Sequence, residues 1–117
     1  MSPYFIVSGA QKWMDFLKDL FNAEELRRFD GPDGTIMHAE VRIDDSVIML
    51  SDATDKFPPV ELVMHVYVQN VDAVYARAIG LGCTPVEAPK TREGDPDKRG
   101  SFKDAAGNWW SVSSQQP

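Results

Sequence analysis

An α+β protein made of two βαβββ modules, whose curved mixed sheets pair around a cavity, is the fold class this sequence predicts. Three observations predict it. The first is a repeat: Val7-Ser8-Gly9-Ala10 leads into an amphipathic run from Gln11 to Ala23, and Val68-Gln69-Asn70-Val71 leads into a second from Asp72 to Gly80. The second is that both halves end alike, in Ser46-Val47-Ile48-Met49-Leu50 and in Asn108-Trp109-Trp110-Ser111-Val112. The third is a two-residue alternation of apolar and polar side chains over 36–43 and 61–68, which is the period of a half-buried strand. A repeated unit that leaves one sheet face open needs a second unit to cover it, so the groove between the sheets is where function is expected.

The elements follow in order. Tyr4–Val7 is a short strand. Ser8 or Gly9 starts the first helix, and Trp13, Phe16, Leu17, Leu20 and Phe21 recur at helical spacing, so they are expected to be core. The polar segment Glu24–Asp30 reads as an edge strand, where charge discourages pairing with other molecules. Gly31-Pro32-Asp33-Gly34 is a turn. In the next strand Met37, Ala39, Val41 and Ile43 are expected on one face, and Ile36, His38, Glu40 and Arg42 on the other. Asp44-Asp45 turns the chain into Ser46–Leu50, and Ser51–Pro59 reads as a polar linker.

The second module opens with a strand over 61–68, with Leu62, Met64, Val66 and Val68 on the apolar side and Glu61, Val63, His65 and Tyr67 opposite. Asp72 is the expected N-cap of a helix carrying Val74, Ala78 and Leu81, with Gly80 and Gly82 at its end. Thr84–Ala88 is a short strand. The segment 89–100, dense in Lys, Arg, Asp, Gly and Pro, reads as a mobile loop. Ser101–Asp104 and Asn108–Ser114 form the last hairpin, turned by Ala105-Ala106-Gly107. The whole chain, 1–117, is expected to form one domain, with module one at about 3–52, a linker at about 53–60 and module two at about 61–115.

Composition narrows the function. Twelve basic against eighteen acidic residues give a net charge of −6, the wrong sign for neutralising phosphates, so no nucleic-acid partner is expected. No apolar run approaches the ~18 residues of a membrane span, and the N-terminus lacks an export signal. Cys83 is the lone cysteine; it excludes an intrachain disulfide, fits a cytoplasmic location, and reads as a small residue filling a gap. There is no Gly-rich phosphate loop, no paired Cys-x-x-Cys, no His-Glu-x-x-His and no nucleophile elbow.

The alternation also assigns faces. The apolar sides should cover the helices, which leaves His38, Glu40, Arg42, His65, Tyr67, Trp109 and Ser111 on the concave side, with Trp110 turned to the helix. That mixture of aromatic and polar groups is a pocket's composition. His38 and Glu40, two apart on one strand, are expected to form a hydrogen-bonded pair balanced by Arg42. Tyr67 and Trp109 are expected to offer flat rings for stacking on a planar or cationic guest.

Several stretches resemble the vicinal oxygen chelate superfamily, which includes glyoxalases, bleomycin-resistance proteins and dioxygenases, and within it the PhnB-like branch. They are Pro3-Tyr4 through Phe16, Met37-His38-Ala39-Glu40-Val41-Arg42-Ile43, Ser46–Leu50, His65-Val66-Tyr67-Val68 with Val71-Asp72, and Lys103-Asp104-Ala105-Ala106-Gly107-Asn108-Trp109-Trp110. The resemblance implies two βαβββ modules, commonly in a homodimer, with metal ligands in some members on the first and last strands of each module. Those positions fall here on Ser2 (or Pro3), Met49, His65 and Ser111. Only His65 is an ordinary ligand for a divalent ion.

The expectation is therefore a small-molecule-binding protein that lacks the usual metal site, needs no cofactor, and sequesters an antibiotic or aromatic metabolite. Its ligand would rest on His38, Glu40, Arg42, Met49, His65, Tyr67, Trp109 and Ser111, in a homodimer with neither nucleic acid nor membrane as partner. No residue is assigned a catalytic role. The alternative is a metal-dependent lyase, isomerase or dioxygenase with a displaced site around His38, Glu40 and His65.

Overall fold

The computed structural model describes residues 1–115, and the chain divides into two compact units, Met1–Glu61 and a second beginning at Leu62. The first unit runs β1 (Tyr4–Val7), α1 (Ala10–Phe21), β2 (Glu24–Asp30), β3 (Ile36–Ile43) and β4 (Ser46–Asp52). Its sheet has the order β1-β4-β3-β2, with β1 parallel to β4 and the other pairs antiparallel. The second unit runs β5 (Val63–Tyr67), α2 (Val71–Gly80), β6 (Thr84–Thr91), β7 (Asp97–Lys103) and β8 (Trp109–Gln115). Its sheet repeats the order as β5-β8-β7-β6, again with one parallel pair, β5 with β8. The predicted βαβββ pattern is thus present twice, as two four-stranded mixed sheets, each carrying one helix.

In each unit the helix packs against the sheet face that the alternation marked as apolar. In the first, Trp13, Met14, Leu17 and Leu20 are buried with Phe5, Val7, Ala39, Val41, Ile48 and Leu50, and the rings of Phe5 and Trp13 lie 4.6 Å apart. In the second, Val71 and Ala78 are buried with Phe102, Trp110 and Val112. Trp110 faces the core, as its parity predicts. The helix stripe differs in detail: Met14 is fully buried whereas Phe16 and Phe21 are half-buried, and Leu81 is exposed at the end of α2.

Both helices begin by the same device, and it comes from the far end of the module. Gly9, at φ +76°, offers α1 no side-chain cap; Asp52, the last residue of β4, accepts the Ala10 N–H at 2.9 Å. In the second unit Ser114, near the end of β8, accepts the Val71 N–H at 2.9 Å and donates to the Val68 carbonyl at 2.9 Å. Orphan amides at a helix N-terminus need acceptors, and the repeat supplies them from the strand that lies parallel to the one before the helix. Asn70 rather than Asp72 is the N-cap of α2, accepting from the Ala73 N–H at 3.1 Å. Asp72 already lies within the helix and pairs with Lys98 at 2.8 Å.

Two expectations are corrected by strand register. Ile36 is buried and Met37 is 63% exposed, the reverse of strict alternation. The pairing of β2 with β3 slips between Phe29 and Asp30, and the Ile36 N–H is taken by Asp52 at 2.8 Å. The expected loop over 89–100 is instead mostly hairpin: β6 continues to Thr91 and β7 begins at Asp97. Its charges pair locally, Glu87 with Lys90 and Arg92, and Asp95 with Arg99. Pro89 is tolerated on the edge strand at a bulge, over Gly100, where a Cβ would meet the Pro89 ring at 3.0 Å.

Cys83 is buried just after α2, and desolvation pushes its thiol up to about 11. At pH 8 it is therefore expected to react with a chromogenic disulfide far more slowly in the native protein than in the urea-unfolded one. Equal rates would show that the segment opens freely. Because the folded-state value lies above that of an exposed thiol, the contribution of this group to stability is fully present below pH 9.0 and is lost as pH rises through about 11.

Candidate functional site

The face of each sheet turned away from its helix carries the polar and aromatic groups. On the first sheet, register aligns Tyr4, Met49, Glu40 and Arg27 across β1, β4, β3 and β2. The Tyr4 hydroxyl lies 3.2 Å from His38 Nδ1, and His38 Nε2 lies 2.8 Å from Glu40 Oε2. The Tyr4 hydroxyl, the His38 imidazole and the Glu40 carboxylate therefore form one hydrogen-bonded chain. The expected His38–Glu40 pair is present. Its balancing cation is Arg27, 3.7 Å from Glu40, and not Arg42. Arg42 pairs instead with Glu24, its neighbour across β2.

Beside this chain lies a groove of about 470 Å³, lined chiefly by Tyr4, Ile6, Met37, Ser51, Lys56 and Phe57. The expected linker forms one of its walls. Thr54 accepts the Phe57 N–H on its hydroxyl at 3.0 Å and donates its own N–H to the Phe57 carbonyl at 2.8 Å. The segment is further tied to β1 by the Ala53 N–H on the Val7 carbonyl and the Val60 N–H on the Ile6 carbonyl.

On the second sheet, register places Val63 beside Trp109, His65 beside Ser111 and Tyr67 beside Ser113. Tyr67 and Trp109 therefore share a face on neighbouring strands but stand four residues apart, roughly 13 Å along the strand direction. They do not form one aromatic wall. The ring next to Tyr67 is His65, at 4.9 Å, and the Trp109 ring is covered by the Lys103 ammonium at 5.6 Å. The Tyr67 hydroxyl donates to Asp97 at 2.8 Å, which raises its pKa. Arg99 also reaches Asp97, at 3.1 Å, as well as Asp95 at 2.8 Å and Ser113 at 3.2 Å. The Asp95 hydrogen bond raises the Arg99 pKa, and Arg99 in turn lowers that of Asp95.

Register also corrects one family-derived position. His65 lies beside Ser111 as Tyr4 lies beside Met49, so Tyr4 takes the place that Ser2 or Pro3 was expected to hold. The four repeat-related positions then carry a phenol, a thioether, an imidazole and a hydroxyl. This donor set does not fit a catalytic divalent cation, which takes about three nitrogen, carboxylate or thiolate ligands. Among the described residues no group of three or more His, Cys, Asp or Glu side chains comes together as a metal site.

Sequence reasoning missed Tyr4, Lys56 and Phe57 in the first unit and Asp97 and Arg99 in the second. A signal was present for the last two: Asp97, Arg99, Ser101 and Lys103 alternate with Phe102 and Gly100, as a strand matching β3 of the first module should. Nothing local marks Tyr4, because its importance comes from its partner across the sheet.

The model of the Glyoxalase/Bleomycin resistance protein/Dioxygenase superfamily matches residues 4–112. An uncharacterized protein of Mycobacterium bovis is 33% identical over 123 residues, covering 96% of this chain and 80% of the relative. Among solved structures, TioX from Micromonospora sp. ML1 aligns with a TM-score of 0.81 at 17% identity, covering 98% of each chain. A PhnB protein from Bacillus cereus, described as a 3-demethylubiquinone-9 3-methyltransferase, aligns at 0.77 with 18% identity over 97% and 98% of the two chains. TnmS3, an antibiotic binding protein from Streptomyces sp. CB03234, aligns at 0.75 with 23% identity over 97% and 92%. The doubled βαβββ pattern, its strand order and the match over 4–112 agree, and the chain belongs to the glyoxalase/bleomycin-resistance/dioxygenase (vicinal oxygen chelate) superfamily.

Proposed function

We propose that this protein binds a small planar organic molecule, without the metal chemistry that other members of the superfamily use. The observation that carries the reading is the donor set at the four repeat-related positions, Tyr4, Met49, His65 and Ser111, which holds a single imidazole. On the open face of the first sheet His38, Glu40 and Arg42, and on that of the second Tyr67 and Trp109, provide rings and hydrogen-bonding groups, a composition suited to orienting a guest. The fold is shared with an antibiotic binding protein, and sequestration of an antibiotic or aromatic metabolite is the corresponding use. In this reading the protein works as a cytoplasmic homodimer. The open faces leave Val63 75% and Phe29 56% exposed, apolar surface that association would cover. No helix among the described residues is long and apolar enough to cross a membrane.

A second reading, a metal-dependent lyase, isomerase or dioxygenase, draws on the His38–Glu40 contact. Two histidines and a carboxylate can hold a redox-active divalent ion, and the set would need His65 of the second unit to complete it. Elemental analysis of natively purified protein separates the two. The binding reading expects substoichiometric metal, together with quenching of tryptophan emission by planar ligands and loss of most of that quenching in Trp109→Phe. Stoichiometric divalent metal that is lost together in His38→Ala and His65→Ala would replace it with the enzymatic one.

A further inference from the structure

We infer that the groove of the first unit is a binding subsite for a planar aromatic monoanion, held by ring contacts with Phe57 and Tyr4 and by a charge contact with Lys56. The inference rests on the small-molecule-binding reading above and names the ligand class and the residues.

The groove's volume, about 470 Å³, lies within the range of small-molecule pockets, roughly 300–1,000 Å³. Ile6 and Ile36 form its apolar base, while Tyr4, Met37 and Phe57 leave 42%, 63% and 55% of their surface exposed around it. Three large apolar side chains exposed around one concavity form a clustered apolar surface of the kind that marks ligand-binding grooves. The backbone of Phe57 is also held in place, since both of its polar groups are bonded to Thr54, which lowers the cost of ordering this wall of the groove on binding.

Charge selects the sign of the guest. Lys56 sits 5.6 Å from the centre of the Phe57 ring and has no ion-pair partner among the described residues. The carboxylate in the lining, Asp52, spends its two oxygens on the Ala10 and Ile36 N–H groups. The Tyr4 hydroxyl is already hydrogen-bonded to His38. What the groove offers a guest is thus an apolar slot with an uncommitted ammonium beside an aromatic ring. An arenecarboxylate satisfies both, whereas an aryl cation would meet Lys56 as a like charge.

The test is titration of the full-length protein with 1-naphthoate, with naphthalene as the neutral probe and 1-naphthylmethylammonium as the cationic one, followed by calorimetry. Naphthoate is expected to bind one per chain and at least tenfold more tightly than the cation. Lys56→Gln should weaken it about tenfold and abolish the preference over naphthalene. Phe57→Ala should weaken naphthoate and naphthalene alike. Both residues are exposed, so neither variant endangers folding, and unchanged thermal transitions will check this. Equal binding of the three probes, or naphthoate binding indifferent to both variants, overturns the inference. If that indifferent binding is lost in Trp109→Phe, the binding reading stands and only this subsite fails. If no probe binds and metal is stoichiometric, both fail.

Discussion

Asp104→Ala is expected to destabilise the protein by roughly 3 kcal/mol, the largest effect of any single surface-adjacent substitution proposed for this chain. Asp104 is 6% exposed, and its carboxylate accepts three N–H groups: those of Ala106 at 2.9 Å, Asn108 at 3.0 Å and the Trp110 indole at 2.8 Å. Trp110 has no exposed surface, so its indole N–H cannot find water once the carboxylate is gone. A buried donor left unpaired costs about 1–3 kcal/mol, and the turn amides add to it. The turn also leads to Asn108, whose side-chain oxygen accepts the Leu62 N–H at the start of the second unit. Chemical denaturation of Asp104→Ala, Trp110→Phe and the double variant checks this. The indole contact predicts a coupling of at least 1 kcal/mol between the two positions. Strict additivity would mean that the turn amides carry the whole effect.

Asp52→Ala should cost nearly as much, roughly 2–3 kcal/mol, and by a different route. One carboxylate oxygen holds the first N–H of α1 and the other holds the first N–H of β3, so the substitution loosens the start of a helix and of a strand together. Asp52→Asn is the discriminating variant. Its amide can keep one acceptor but must turn a donor toward the second N–H, so it should recover less than half of the loss. The repeat-equivalent Ser114→Ala should cost less, about 1 kcal/mol, because Ser114 receives a single helix N–H and its Val68 contact is a neutral hydrogen bond. Hydrogen exchange is the sharper measurement: Asp52→Ala should selectively speed exchange at Ala10 and Ile36. A uniform increase over the first unit would mean that Asp52 acts only on global stability.

How much of this was legible in the chain depends on the range of the interaction. The strands read over 36–43 and 61–68 are present as Ile36–Ile43 and Val63–Tyr67, because period-two patterning reports a half-buried strand locally. The strands at 84–88 and 101–104 were also read, but their extension through 89–100 was not, because locally paired charges, glycines and prolines there mask the alternation that begins at Asp97. Met37 and Ile36 exchanged roles for a related reason. A register slip is set by the partner strand and by Asp52, sixteen residues away in sequence, and no local pattern reveals it. In the candidate site, His38 and Glu40 were found as a pair because they lie two apart on one strand. The choice of Arg27 over Arg42 as their cation is a matter of cross-strand geometry.

The sequence by itself determined the doubled βαβββ architecture and the helix-facing cores, since these follow from periodicity and repetition. The tertiary structure alone decided which side chains from different strands meet. Parallel pairing set Tyr4 beside Met49 and His65 beside Ser111 and separated Tyr67 from Trp109, while hydrogen bonds of Ala53 and Val60 to β1 turned what reads as a plain linker into a groove wall. The physical reason is that hydrogen-bond register between strands distant in sequence is fixed by the summed packing of a whole sheet. A one-residue slip moves every side chain to the other face, and that sum is not visible in any short window of the chain.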